Sequence, residues 1–260
     1  MILGTFMPVS KLMSLTPTAC IALGCLAFAA PAAADCRDAP EPKANWVGCS
    51  KTSLLLPRSD LTDATMGKAM LTSTNLDGSK LNGAKMSETE LSFVRFEGAD
   101  LTGADLSRAV GWRTSFKGAN LAKVTLDMVQ LIRANFEKAK LQGASFVKSE
   151  LNRSDFEDSD LTGANMSRAE MARVDLTKAR LGGVNFSYSN LSRARLDGAQ
   201  LEGAQFIGAY LYRTQFGGAD LSGATGLAQA QIEPACGTAQ TKLPAGLVAP
   251  KHWPCSTEDD

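Results

Sequence analysis

A five-residue repeat is the feature that most limits what this chain can fold into. From Leu61 to Leu221, every fifth residue is Leu, Met or Phe at all but one of the 33 central positions. The residue two places before each centre is always Ala, Ser, Thr or Val, and no insertion or deletion interrupts the pattern. A period of five matches neither a helix nor a strand with alternating faces. Each unit is therefore predicted to be a short extended piece followed by a turn.

A period of twenty residues is superimposed on the period of five. One class of centres, which starts at Leu61 and recurs every twenty residues to Leu221, contains nothing but Leu. The class fifteen residues later contains Phe96, Phe116, Phe136, Phe156 and Phe216. A simple five-residue repeat would not sort its centres in this way. The sorting is consistent with four distinct sides in each coil of the chain.

Units such as ADLTG at 99–103, ANLAK at 119–123, ANFEK at 134–138 and ADLSG at 219–223 resemble the pentapeptide-repeat family. The unit of that family reads alanine, aspartate or asparagine, leucine and two variable residues. The resemblance implies an all-β fold, a right-handed quadrilateral β-helix with one pentapeptide on each side. About eight coils at an inter-strand spacing of roughly 4.8 Å would give a rod about 40 Å long.

The first 34 residues are interpreted as a secretory signal peptide. An apolar run follows Lys11, and the triplet Ala32-Ala33-Ala34 has the small residues of a cleavage site. One alternative is a membrane anchor, which Pro17 would interrupt. Another is a lipoprotein attached at Cys25, before which the usual leucine is missing. Because the open ends of a solenoid need caps, the predicted organisation is a signal peptide at 1–34, an N-terminal cap at 35–55, the repeats at 56–225 and a C-terminal cap at 226–260.

Four cysteines remain after removal of the signal peptide: Cys36, Cys49, Cys236 and Cys255. An even number in an exported chain indicates disulfides, and three pairings are formally possible. Two cysteines precede the repeats and two follow them, which favours the local pairs Cys36–Cys49 and Cys236–Cys255. We expect each disulfide to hold an irregular cap, with a short helix within 227–237. The expected location is the periplasm or outside a bacterial cell, with no membrane span in the processed chain.

Outward-facing arginines recur at the interval of one predicted coil. Each stands two places after a central residue of the column that includes Leu71 and Leu91. We call these residues the arginine ladder: Arg113, Arg133, Arg153, Arg173, Arg193 and Arg213. Neighbours are expected about 5 Å apart, and acidic residues nearby are expected to offset their repulsion: Glu150, Glu170, Asp155 and Asp175. Two interpretations remain open. The arginine stems could cover the apolar wall, or the guanidinium groups could bind carboxylates or phosphates.

Apolar side chains are predicted on the same face at both ends of the ladder. Phe93, Trp112 and Ile132 lie near its start, and Tyr212 lies near its end. Grouped aromatic residues and arginines are typical of interaction surfaces. Gly111 replaces a central residue here, and the missing side chain is expected to leave a gap unless its neighbours move in. We expect the wall to bend inward and to leave Trp112 at least partly exposed.

Charge and packing weigh against nucleic-acid binding and catalysis. Some members of the family that this chain resembles imitate DNA, which requires a strongly acidic surface. This chain has 27 basic and 27 acidic residues, so DNA mimicry is not expected. A narrow coil filled with Leu, Phe and Ala offers no cleft for chemistry. His252, the single histidine, is expected to be a surface or cap residue. No metal site, cofactor or catalytic residue is predicted.

The predicted function is a non-enzymatic scaffold or protein-binding rod of the bacterial envelope, as a monomer or weak dimer. Its partner is expected to be an envelope protein. An alternative is an anionic polymer, such as acidic polysaccharide, lipopolysaccharide or anionic lipid, bound by the ladder. An enzyme whose chemistry resides in the C-terminal tail is a third alternative. The candidate interaction face comprises Phe93, Trp112, Arg113, Ile132, Arg133, Arg153, Arg173, Arg193, Tyr212 and Arg213.

Overall fold

The computed structural model describes residues 34–255. The predicted signal peptide falls outside this range apart from Ala34, and so do Cys20, Cys25 and the end of the predicted C-terminal cap at 256–260. The described part contains β1 (Val110–Trp112), β2 (Gln130–Ile132) and α1 (Gln229–Ile232). None of the helices within 34–255 has the length and apolar character needed to cross a lipid bilayer.

Parallel pairing at an interval of twenty residues builds the repeats into a β-solenoid. The residue before each centre forms a bridge with its counterpart one coil later, as Asp60 does with Lys80 and Lys80 with Asp100. The Lys80 N–H donates to Ser59 O (2.9 Å), and the Lys80 carbonyl accepts the Leu61 N–H (2.8 Å). Four turns separate one bridge residue from its partner. The coils therefore satisfy one another's backbone groups without long strands.

Where Asp or Asn stands before a centre, its side chain closes the turn that follows. Asp60 Oδ1 accepts hydrogen bonds from the Thr62 N–H (3.2 Å) and from Thr62 Oγ1 (2.7 Å). The same arrangement recurs two coils later, where Asp100 accepts from Thr102. Asp and Asn side chains are suited to this bond because their short chains reach the backbone two residues ahead. This explains the aspartate or asparagine in the repeat unit.

The central side chains fill the interior as continuous columns. Phe96, Phe116, Phe136 and Phe156 stack with their ring centroids 5.1, 4.9 and 4.5 Å apart and their planes within 8°. All four rings are fully buried. Stacked aromatic pairs contribute about 0.5–1.5 kcal/mol beyond the burial of their area. Four members of the Phe-rich class therefore form one buried stack, and Phe216 lies beyond Leu176 and Leu196 of the same class.

From Ala64 onward, the small residue two places before each centre is buried. Where it is Ser or Thr, its hydroxyl bonds to a backbone carbonyl, as Ser154 Oγ does to Leu131 O (3.0 Å) and Thr214 Oγ1 to Leu191 O (2.7 Å). A buried hydroxyl without such a partner would destabilise the fold. Ser and Thr can consequently substitute for Ala at this position.

At the N-terminal end, the coil begins earlier than the repeat pattern alone suggests. The first bridge joins Asn45 to Thr65, within the segment 35–55 that was expected to be a cap. Trp46 is buried at a central position, and its Nε1 donates to Asp38 O (3.1 Å). A disulfide joins Cys36 to Cys49 with a Cα separation of 5.4 Å. The large indole thus occupies a place that Leu, Met or Phe fills in later coils.

At the C-terminal end, an irregular segment covers the last coil. Its bridges join Gln215 to Cys236 and Asp220 to Lys242, so the interval is no longer twenty residues. Helix α1 lies within the segment predicted to be helical, and Gln231 Nε2 donates to Phe206 O and Ala209 O, both at 2.9 Å. The second disulfide joins Cys236 to Cys255. Both disulfides join the local pairs favoured by the sequence.

The Phe stack leads to a first prediction. Phe136→Ala should lower the free energy of unfolding by about 3–5 kcal/mol, because it leaves a cavity between two rings that cannot collapse onto each other. Chemical denaturation followed by circular dichroism measures the change. Phe93→Ala is the matched control, since Phe93 is 45% exposed, and it should cost about 0.5 kcal/mol. Equal losses in the two variants would contradict this account of the core.

A second prediction concerns the ion pair that holds the C-terminal segment. Lys242 Nζ lies 2.8 Å from Asp220 Oδ2, and this bond, with bonds from Ser222, lowers the pKa of Asp220 from 3.8 to about 2. A lowered carboxyl pKa stabilises the folded state above the unfolded value, so this stabilisation is lost as the pH falls from about 4 to about 2. Lys242→Ala should raise the pKa of Asp220 toward its ordinary value, read from the Asp220 carboxyl ¹³C shift. An unchanged titration would refute the pairing.

Candidate interaction face

The arginine ladder occupies backbone positions with a left-handed conformation. All six residues lie at the second turn position after a centre, where φ is between +55° and +60°. Glycine adopts this conformation without a steric penalty, whereas other L-residues are disfavoured by about 1 kcal/mol. The equivalent corner after the all-Leu column is mostly glycine: Gly83, Gly103, Gly143, Gly163, Gly183 and Gly203.

Glycine is absent from the ladder corner, although the backbone there would favour it. The residues at this corner are Ser73, Phe93 and then the six arginines. Six successive coils thus accept a backbone penalty that the corner after the all-Leu column mostly avoids. Packing of the arginine stems or binding of a group outside the protein would offset it.

The ladder is a row of arginines with little internal compensation. Among residues 34–255, no carboxylate lies within 4.0 Å of the guanidinium nitrogens of five of them: Arg113, Arg133, Arg153, Arg173 and Arg193. On other sides of the solenoid, arginines pair with carboxylates one coil away, such as Arg180 with Asp160 (3.1 Å) and Arg195 with Asp175 (3.0 Å). The row therefore presents concentrated positive charge to solvent.

The acidic residues expected to offset the ladder have other partners. Glu170 accepts from Asn190 Nδ2 (2.9 Å), and Glu150 accepts from Gln130 Nε2 (3.4 Å). Asp175 pairs with Arg195, and Asp155 accepts the Glu157 N–H (2.9 Å). Among residues 34–255, none of these four carboxylates forms a direct ion pair with Arg113, Arg133, Arg153, Arg173 or Arg193. Each of these carboxylates accepts from a donor that lies closer than the ladder arginines, either in the same column or around the next corner.

A shallow groove runs beside the middle of the ladder. It has a volume of about 290 Å³, with Arg173 and Arg193 on one side and Asp175 and Arg195 on the other. Because Asp175 and Arg195 neutralise each other, the charge of the groove comes from the two ladder arginines. An anionic group could lie there against two guanidinium groups.

The apolar residues at the start of the ladder form a cluster around Trp112. The Trp112 ring is 40% exposed and meets Phe93 edge to face, with the centroids 5.6 Å apart. The guanidinium carbons of Arg113 and Arg133 lie 4.6 and 5.8 Å from the Trp112 ring centroid. With half-buried Ile132, these residues form a patch in which cationic and aromatic groups touch.

Gly111 determines the shape of the wall beneath this patch. It lies in β1 and pairs with Leu131 of β2 in the parallel register. A Cβ built on Gly111 would lie 2.6 Å from Thr114 Oγ1 and 3.1 Å from both Leu91 Cβ and Leu131 Cδ2. The space of the missing side chain is thus occupied by its neighbours, and Trp112 lies outside, as expected.

Aromatic residues also mark the other end of the ladder. The rings of Tyr210 and Tyr212 are nearly parallel, with centroids 6.2 Å apart. Arg213 lies beside them, its guanidinium carbon 5.8 Å from the Tyr212 ring centroid. The structure therefore brings the predicted face together as one strip, with aromatic groups at both ends.

A cleft at the C-terminal end was not anticipated from the sequence. It has a volume of about 680 Å³ and lies between the last coil, which contributes Tyr212 and Arg213, and the tail, which contributes Glu233 and His252. We call it the C-terminal cleft. The residues that line it are far apart in the sequence, and His252 lies outside the repeats, so no periodic signal could have revealed it. Within residues 34–255, no group of His, Cys, Asp and Glu has the arrangement of a metal site.

Comparison with protein families explains the repeat. The family model described as pentapeptide repeat region matches residues 129–206, and the model described as pentapeptide repeats (8 copies) matches residues 56–87, 89–127 and 189–225. Together they cover about two thirds of the chain. The chain belongs to the pentapeptide-repeat family. Comparison with curated proteins gave no match.

Solved structures similar to this pentapeptide-repeat protein come from several sources. HetL, involved in heterocyst differentiation regulation in Nostoc sp. strain PCC 7120, is 25% identical over 76% of this chain and 86% of its own, with a TM-score of 0.43. Full-length QnrB1, a plasmid-mediated fluoroquinolone resistance protein, is 18% identical over 75% and 94%, with a TM-score of 0.33. A pentapeptide repeat protein of the Arabidopsis thaliana thylakoid lumen is 30% identical over 46% and 79%, with a TM-score of 0.21.

The contacts of Gly111 lead to a third prediction. Gly111→Ala should lower the free energy of unfolding by about 1–3 kcal/mol, because the added methyl group overpacks the wall between two coils. Gly182→Ala is the matched control, since its Cβ would meet no atom closer than 3.8 Å. Urea denaturation of both variants measures the difference. A Gly111→Ala protein as stable as the control would show that the wall has room at this point.

Proposed function

We propose that this pentapeptide-repeat protein is a non-enzymatic binding rod of the bacterial envelope, exported by the signal peptide at 1–34. Two disulfides support an oxidising compartment, because such bonds persist in the periplasm and outside the cell and are rare in the cytosol. The near balance of acidic and basic residues argues against mimicry of DNA. We expect the processed protein to be periplasmic or secreted.

We further infer a right-handed quadrilateral coil of about eight turns, closed by caps at 35–55 and 226–260. The twenty-residue interval between bridges and the four turns within each interval support this form. The segments at both ends hold disulfides and side-chain bonds to the outer coils, which blocks the edges through which solenoids stack. A monomer or weak dimer is the expected state.

The observation that carries the proposed function is the unbroken run of arginines at left-handed corners. Among residues 34–255, other cations without a carboxylate within 4.0 Å occur at a neighbouring corner, including Arg108, Lys148 and Arg168, but Glu88, Met128 and Tyr188 interrupt them. On the ladder, six coils in succession keep the same cation. We infer that the row is retained for the ligand it binds.

The partner favoured by the face is an acidic protein surface with an apolar contact. The exposed patch at Trp112 offers the aromatic anchor found at the centre of protein interfaces. The ladder would complement a negative surface and speed association. Trp112 and the ladder would therefore both contribute to binding.

The second candidate is an anionic polymer of the envelope. It is favoured by the regular rise of the ladder, because the guanidinium groups repeat at the inter-coil spacing of roughly 4.8 Å. A polymer with one negative group in each repeating unit could contact several arginines together. Its binding would be sensitive to salt, since exposed charges are screened.

A fourth prediction separates a functional ladder from a structural one. If the arginines are retained for binding, Arg153→Gly and Arg173→Gly should leave the protein equally stable or more stable by up to about 1 kcal/mol each, because glycine suits φ near +60°. If their stems hold the wall together, both variants should unfold more easily. Thermal and urea denaturation measure the outcome, and a loss above about 1 kcal/mol would overturn the binding interpretation.

Binding itself is tested with two triple variants that remove the same charge. Arg133→Ser, Arg153→Ser and Arg173→Ser change the ladder, whereas Arg108→Ser, Lys148→Ser and Arg168→Ser change another corner with the same backbone conformation. Each is used as bait in crosslinking pull-downs from envelope fractions and in titrations with lipopolysaccharide and polyuronate. Loss of binding in the ladder variant alone supports the proposal. Equal binding by both variants and the wild type would refute it.

Trp112→Ala distinguishes the two partners. An acidic protein that also uses the apolar patch should be lost with this variant, whereas a polymer held by charge should still bind. Trp46 is not a suitable control because it is buried. Tyr188→Ala serves instead, since Tyr188 is exposed and lies at another corner.

A further inference from the structure

A second surface of the solenoid is unusual in its composition, on the side that follows the all-Leu column. Its bridge residues carry no charge in six successive coils, and we call them the neutral face: Thr125, Ser145, Asn165, Asn185, Gln205 and Thr225. Parallel bridges join each of these residues to the next, so they form one continuous row. None of them belongs to the arginine ladder. What binds to this row is therefore a separate question from the partner of the ladder.

The backbone does not require the row to be uncharged. Asn165 Oδ1 accepts the Ser167 N–H (3.1 Å), and Asn185 Oδ1 accepts the Ser187 N–H (2.9 Å). An aspartate closes the same kind of turn, as Asp160 does on the side of the all-Leu column. Asparagine at these positions therefore keeps the turn and removes a negative charge from the surface.

The amide groups of the neutral face are open to a ligand. Within residues 34–255, Asn165 Nδ2, Asn185 Nδ2 and the side-chain amide of Gln205 have no hydrogen-bond partner. On the next side, by contrast, Asn190 Nδ2 donates to Glu170 Oε2 (2.9 Å). The open groups of the two asparagines are N–H donors, since each Oδ1 already closes a turn. Because the row holds no cation, it favours an uncharged acceptor, such as an amide carbonyl, over a carboxylate.

The edges of the neutral face leave room for a long ligand. Along one edge, the corner residue is glycine in four successive coils: Gly143, Gly163, Gly183 and Gly203. A Cβ built on Gly163 or Gly183 would meet no atom of the described chain within 4 Å, so this edge is unobstructed. Lys148 and Arg168 lie at the opposite edge, outside the row. A chain molecule can therefore lie along the rod against several coils at once.

An exposed aromatic ring stands beside the row. Tyr188 occupies the corner that follows Asn185 and is 62% exposed. A Cβ built on Gly208 would lie 2.7 Å from Tyr188 Cδ1 and 2.8 Å from Cε1, so the ring rests against the backbone of the next coil. This contact holds the ring in place before a ligand arrives, which reduces the entropic cost of binding. The C–H groups of a sugar ring pack well against such an aromatic surface.

We propose that the neutral face binds an uncharged chain of N-acetylhexosamine units that lies along the rod. The inter-coil spacing of roughly 4.8 Å is close to the length of one sugar unit, so successive sugars meet successive coils. One sugar ring packs against Tyr188, and the amides of Asn165 and Asn185 donate to acetamido carbonyls and hydroxyl oxygens. A chain of plain hexose units shares the ring and hydroxyl contacts but lacks the acetamido carbonyls. It should therefore bind more weakly.

The test is NMR titration of the ¹⁵N-labelled full chain with chitohexaose, a hexamer of N-acetylglucosamine, and with cellohexaose, the corresponding hexamer of glucose. Chitohexaose should bind at millimolar concentration and shift the side-chain amide signals of Asn165 and Asn185. It should bind about fivefold more tightly than cellohexaose, because it offers additional hydrogen-bond acceptors. Absence of chitohexaose binding, or equal binding of cellohexaose, would overturn the proposal.

Two pairs of variants locate the bound sugar. Tyr188→Ala should weaken chitohexaose binding by about fivefold, because it removes the apolar surface for one sugar ring. Tyr210→Ala removes a tyrosine of similar exposure on another side and should leave binding unchanged. Arg133→Ser with Arg153→Ser alters only the arginine ladder and should also leave binding intact. Loss of chitohexaose in that ladder variant would place the sugar on the ladder, and the neutral face would be the wrong assignment.

A matched exchange of amide for carboxylate tests the recognition groups themselves. Asn165→Asp with Asn185→Asp keeps the oxygens that close the turns but removes the N–H donors, so the fold should persist while binding is lost. Asn75→Asp with Asn135→Asp makes the same change on another side, where Oδ1 also accepts a backbone N–H. This control should bind chitohexaose as the wild type does. Equal binding by the two double variants would show that the amides of the neutral face do not recognise the sugar.

Discussion

The hydrogen bonds between successive coils are the interaction on which the rest of the structure depends. Each bridge residue bonds through both its N–H and its carbonyl to the coil before it, and its two chain neighbours bond to the bridge residue of the coil after it, at an interval of twenty residues. This interval places identical classes of residues directly above one another. The Phe stack, the Leu column and the arginine ladder are all consequences of it, because a residue type repeated at that interval becomes a continuous column.

The same constraint sets what the surface can carry. Each corner requires a left-handed residue, and glycine satisfies that requirement at most positions after the Leu column. Arginine at the ladder corner departs from local preference over six coils. Other corners also hold residues other than glycine at left-handed φ, such as Lys68 and Glu88, but the ladder corner repeats the same cation in six successive coils. The groove beside Arg173 and Arg193 lies on the same strip.

The irregular positions of the chain gather at the ends of this strip. At Gly111 the side chains of Leu91, Leu131 and Thr114 occupy the place of the missing side chain, and Trp112 outside contacts Phe93 and two arginines. At the opposite end, the tail returns to the last coil and encloses the C-terminal cleft beside Tyr212. The regular middle of the solenoid supplies charge, and the two irregular ends supply aromatic groups and concave shape.

By itself, the sequence determined the solenoid, the buried columns, the local cysteine pairs and the outward position of the ladder. These follow from periodicity, since a strict interval dictates which residues face inward and which stack. Only the tertiary structure decided how Glu150, Glu170 and Asp175 are paired, because hydrogen-bond partners depend on distances between side chains of different coils. It also decided that neighbours fill the space at Gly111 and that His252 and Tyr212 line the same cleft. Such contacts arise where the period is broken, and there the sequence interval no longer predicts what lies next to what.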